Sequence, residues 1–232
     1  MYDSVMTGLR SPAAQTMKRK PIPILWMGMA LGVGLCLAAV VLAIEGIDVN
    51  SLKTALRVTA RWSFLLFWVA YAGRAMATLF GPAFAPLARR GREFGLAYAA
   101  AMLSHVGLLI WIFELTSHAP LSGNSLLFFG IGIVFTYLLA LFSFGRLAEA
   151  LGPTGWAILR ITGVNYILFA FASDFVPAVI HPAAAQYGIW RLVAYAPFAA
   201  MSVAAPLLVL AAAAHRRIEM RYSHAQLGPV VD

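Results

Sequence analysis

Along the chain, apolar residues come in six long blocks, each closed off by charge, proline or glycine. They run over about residues 23–45, 61–82, 93–116, 124–146, 155–178 and 188–214. A helix rising 1.5 Å per residue needs about 20 residues to cross a ~30 Å hydrocarbon layer, and each block reaches that length. Backbone amides in lipid must be satisfied within their own segment or in a closed barrel. Unbroken apolar runs without strand-like alternation select the helix. The pattern predicts an all-α integral membrane protein: a six-helix transmembrane bundle over residues 21–215, with polar tails at 1–20 and 216–232. The joins are short, so consecutive helices should be antiparallel neighbours.

Composition supports this reading. Of 232 residues, 62% are hydrophobic and 11% charged, against about a quarter charged in a soluble domain. The mean hydropathy is +0.82. One aqueous core cannot hide that much apolar surface, so lipid is the expected solvent. The net charge of +8 would suit a nucleic-acid partner, but the basic residues sit in clusters between apolar blocks. That arrangement sets membrane orientation, and no nucleic-acid partner is expected.

An even number of spans puts both chain ends on one side. Arg10, Lys18, Arg19, Lys20, Arg89, Arg90, Arg92, Arg146, Arg216, Arg217 and Arg221 fall there, while Lys53, Arg57, Arg61 and Arg191 fall on the other. The excess predicts cytoplasmic termini. The first block follows Lys18, Arg19 and Lys20 but is too long for a signal-peptide core, so it is expected to stay as the first span. The lone cysteine, Cys36, excludes an internal disulfide and a thiolate-held metal cluster.

Candidate chemistry rests on ionisable groups at membrane depth, which cost at least ~2.5 kcal/mol each to insert. Arg74 and Arg160 lie toward the basic ends of the second and fifth spans, where their long side chains can snorkel to the interface. Asp174, with His181 beyond it, lies near Pro177 and Pro182, which mark a turn. Glu45 and Glu114 cap span ends. His105 is different: it lies near the middle of the third span, too deep to snorkel. Its imidazole suits either a hydrogen bond to a neighbouring helix or an axial bond to haem iron.

The third span opens as Arg92-x-x-Gly95-Leu96, with His105 ten residues after the glycine. Around it stand Arg61, Arg146 with Leu151-Gly152, Trp156-x-x-Leu159 and Tyr166. In order and spacing, roughly over residues 55–180, these resemble the ferric-reductase-like transmembrane domain family. The likeness is nearest to its MsrQ-type haem-binding membrane subunits of the bacterial inner membrane. The resemblance implies haem b held between histidines on the third and fifth helices, with electrons passing from quinol or a flavoprotein to an acceptor outside. Arg74 or Arg160 would then face haem propionates or a quinone carbonyl.

The chain departs from that pattern where the ligands should be. The histidine expected directly after Trp-x-x-Leu is Arg160, the second falls at Ser173, and the fifth span holds no histidine. Guanidinium has no lone pair to give iron. His118 stands ~20 Å from His105 along the helix axis and on nearly the opposite face, so the two cannot share one iron. Met27, Met29, Met76 and Met201 are the other soft donors on neighbouring spans.

Two functions follow. In one, the chain is a degenerate member of the family, an accessory or structural subunit of a membrane assembly, with Tyr166, Phe169 and Phe171 filling the vacated space. In the other, it carries electrons on one haem b, bound through His105 and an unconventional second ligand. The cofactor expectation is thus none or one haem b, and the partners are the lipid bilayer and another membrane or redox subunit. A transporter would rest only on Arg74, Arg160 and Asn165, without the repeats that transporters often carry. No nucleophile elbow supports a hydrolase.

Overall fold

The computed structural model describes residues 22–116, 122–144, 147–180 and 188–226. Its helices are α1 (Ile22–Glu45), α2 (Val49–Phe80), α3 (Ala85–Arg89), α4 (Gly91–Thr116), α5 (Gly123–Ser143), α6 (Leu147–Ile180) and α7 (Gly188–Gln226). A 3-10 turn, Pro82–Phe84, joins α2 to α3. Six of the helices are long and apolar enough to cross a membrane, and no strand occurs among the described residues. The protein is an all-α, six-span bundle, and its apolar helices mark it as an integral membrane protein.

Three spans differ from their apolar blocks. The second starts at Val49, well before residue 61, because Asp48 caps it: its carboxylate accepts from the Ser51 amide at 2.7 Å. No proline follows before Phe80, so the helix runs unbroken through polar residues into apolar ones. The fifth starts at Leu147 and breaks once, at Gly152, whose φ of 66° suits glycine. Pro153 restarts it with a ring already set for a first helical turn. Pro177, expected to mark a turn, lies inside α6, which runs on to Ile180. The sixth continues past residue 214 to Gln226, with His215 and Glu219 paired at 3.5 Å one turn apart on its polar end.

α1, α2 and α4 pack as one group. From α2 the contacts pass to α7, from α7 to α6, from α6 to α5, and from α5 back to α4. α2, α4, α5, α6 and α7 therefore enclose the interior, and α1 lies outside it against α2 and α4. The end where α1 begins and α7 finishes is the near end, and the opposite end is the far end. At the far end Gly46, with φ of 91°, turns the chain between α1 and α2. In the α1–α4 seam a Cβ on Gly34 would stand 2.5 Å from Ser104 Oγ. The glycine leaves room there for the Ser104 side chain.

Candidate functional site

His105 projects from α4 onto α2. Its Nδ1 lies 3.2 Å from the Leu56 carbonyl oxygen and 3.3 Å from Thr59 Oγ1. A carbonyl only accepts, so the geometry puts the ring proton on Nδ1. The Thr59 hydroxyl is itself turned back toward Ala55 O at 3.0 Å and Leu56 O at 3.1 Å. His105 thus ties two helices together, and its Nε2 keeps a lone pair. That tautomer is also the one metal-bound histidines adopt.

A haem between α4 and α6 needs a second donor and a slab of space, and the residues present fit neither need. On α6, Arg160 is exposed, and the Ser173 hydroxyl donates to the Ala170 carbonyl at 2.8 Å. Among the described residues, no three of His, Cys, Asp and Glu gather to hold a metal. The interior itself is filled with rings. Phe64 of α2 meets Phe171 and Phe175 of α6, both at 5.1 Å between centroids, and Phe198 of α7 at 6.1 Å. Phe171 stacks on Phe175 at 5.9 Å and 17°. Tyr98, two turns before His105 on the same side of α4, packs on Phe67 at 5.2 Å and Phe171 at 6.3 Å. The Tyr98 hydroxyl pairs with Thr136 of α5 at 2.9 Å. Backbone packing between α2 and α6 is slight. They meet mainly through this aromatic plug.

Of the three fillers expected from the sequence, Phe171 lies in the plug. Tyr166 lies in the α5–α6 seam, its hydroxyl donating to Phe128 O at 3.0 Å. Phe169 is 62% exposed and turns outward.

The three candidate site residues are not brought together. Arg74 is exposed on α2, about 22 Å along the helix from Thr59 and hence from His105. Arg160 is exposed on α6, with no ion pair to a carboxylate among the described residues. Near Arg74, one turn back, the Tyr71 hydroxyl donates to Asn165 Oδ1 at 2.9 Å and bridges α2 to α6. His118 and His181 lie outside the described residues.

Arg61 is the residue that sequence reasoning misplaced. It was expected at the far interface, but it lies about 18 Å along α2 from Val49. Its neighbour Trp62 donates to the Ala30 carbonyl at 2.9 Å, roughly 22 Å from the far end of α1 at the helical rise. Arg61 is therefore at membrane depth. Its guanidinium carbon sits 4.5 Å from the centroid of the Tyr195 ring and 5.7 Å from that of Phe198. Its Nε is buried with no hydrogen-bond partner. A signal existed in the sequence: Lys53, Arg57 and Arg61 recur every fourth residue behind an Asp48 cap.

Against protein-family models, curated proteins and solved structures, the chain has no match. The ferric-reductase likeness rests on the sequence motifs alone.

Proposed function

We propose that this protein is a degenerate ferric-reductase-like membrane subunit, in which side-chain packing takes the place of bis-histidine haem. In this reading it serves as an accessory or structural part of a larger assembly in a bacterial inner membrane, with both termini cytoplasmic. The observation that carries the reading is the aromatic plug of Phe64, Phe67, Tyr98, Phe171, Phe175 and Phe198, which fills the space between α4 and α6 that the resemblance would give to haem. Two details support it. His105 already has a structural task, holding α4 on α2. α1 carries Gly28 and Gly32 with open space at both Cβ positions, a small-residue spacing that lets another transmembrane helix approach closely.

The test is the mass of the gently solubilised particle. A wild-type particle heavier than the 25.0 kDa chain, reduced to single-chain mass by Gly28→Leu with Gly32→Leu, is expected. A single chain in the wild type would overturn the subunit role. The unshared Nε2 lone pair of His105 favours a second reading, electron transfer through one haem b. That reading needs a trans ligand, and at the two α6 positions where the resemblance would put one stand Arg160 and Ser173.

A further inference from the structure

Arg61 is a cation at membrane depth with no carboxylate in ion-pair reach among the described residues. Such a charge is costly, and chains keep one where it has a partner to meet. Tyr195 and Phe198 hold the guanidinium from one side by cation–π contact, which fixes its position without neutralising it. The buried Nε still lacks an acceptor. Three further facts bear on what meets this charge. Lys53, Arg57 and Arg61 stand at four-residue steps on α2 and so share one face, rising over ~12 Å from Arg61 toward the far end. Lys53 and Arg57 are exposed, Arg61 half-buried. Side chains on a helix lean toward its N-terminus, which for α2 is the far end.

Lys53 and Arg57 are two of the basic residues that the sequence places on the side opposite the termini. Orientation signals do not account for cations there, since positive charge gathers on the other side. We infer that this stripe is an anion-binding site, entered from the far end and closed at its inner end by Arg61. The ligand presents a carboxylate or phosphate group to a planar guanidinium. Lys53 and Arg57 attract it to the mouth, and Arg61 holds it by charge-assisted hydrogen bonds. The aromatic plug beneath, through Phe64, Phe175 and Phe198, stops it from going deeper. The anion has two possible sources, a lipid headgroup of the outer leaflet or a small soluble anion. The inference does not depend on whether the protein is an accessory subunit.

The experiment uses the full chain in phosphatidylcholine nanodiscs, with two probes. Phosphatidylglycerol mixed into the disc represents the lipid source, and inorganic phosphate in the buffer the soluble one. Binding is read as retained lipid by native mass spectrometry and as a phosphate-dependent rise in melting temperature. Wild-type protein should bind one probe, with affinity at least tenfold lower in Arg61→Gln and intermediate in Arg61→Lys. Arg217→Gln, which removes the same charge at the near end, should bind as wild type does. If Arg61→Gln fails to fold, Lys53→Glu with Arg57→Glu reverses charge at exposed positions and should weaken binding as strongly. Retention of phosphatidylglycerol alone identifies the lipid source, and response to phosphate alone the soluble one. No binding of either probe by wild type, or equal binding by wild type and the stripe variants, overturns the inference.

Discussion

His105 and Asp48 show how single residues set this structure. The His105 contact to Leu56 and Thr59 is an interhelical hydrogen bond in an apolar medium, and such bonds contribute about 0.6–1.7 kcal/mol each. His105→Ala should therefore lower the unfolding free energy in detergent by about that amount while leaving a folded bundle. A collapse of the fold would show that the imidazole carries more than this bond. Asp48 sits outside the membrane. The Ser51 backbone amide, followed by the Ser51 hydroxyl, holds its carboxyl below the usual carboxylate range. A depressed acid stabilises the fold above its ordinary pKa and loses that contribution as pH falls through the lowered value. Far-ultraviolet melts should show wild-type helix stability falling as the pH drops below the ordinary carboxylate range. Asp48→Asn should keep the cap while losing Asp48's share of that pH dependence, and Asp48→Ala should lose the cap at every pH. A wild-type slope unchanged in Asp48→Asn would assign the titration elsewhere.

At the scale of the helix, length and polarity part company. Apolar counting finds all six spans, and bounds three of them closely, because lipid demands unbroken hydrophobicity, which is visible residue by residue. It misses the start of α2, since Asn50, Lys53 and Arg57 are polar and only the Asp48 cap marks a helix there. The same miss put Arg61 at an interface when it lies deep. The α1–α4 seam gives a sharper test of helix packing. Gly34→Ala places a methyl against Ser104 Oγ, which is itself bonded to Ala101 O at 2.7 Å, and should destabilise by about 1–3 kcal/mol. Adding Ser104→Ala removes the nearest atom and should restore much of that loss. Full loss in the double variant would mean that the backbones, not the hydroxyl, carry the clash.

For the whole molecule, the contents of the interior were only half legible. Phe169 and Phe171 are two residues apart and thus face nearly opposite ways on α6. The sequence offers both as core, and only the placement of α6 against α2 and α7 selects Phe171. Phe64, Phe67, Phe175 and Phe198 join it from blocks whose facing sides cannot be read from an all-apolar pattern. By contrast, the missing histidines of α6 were plain, because they are an absence at fixed spacing. The plug should dominate stability. Phe175 is 1% exposed, and Phe175→Ala should cost about 3–5 kcal/mol, read by thermal or denaturant unfolding in detergent. A cost under ~1 kcal/mol would mean the interior is loosely filled.

The most direct test of the account is an absorption spectrum, oxidised and dithionite-reduced, of folded protein made in haem-supplemented cells, beside His105→Ala. Packing in place of a cofactor predicts no Soret band in either protein, both monodisperse. A stoichiometric Soret band with reduced α and β peaks, lost in His105→Ala, would contradict it and make His105 an iron ligand.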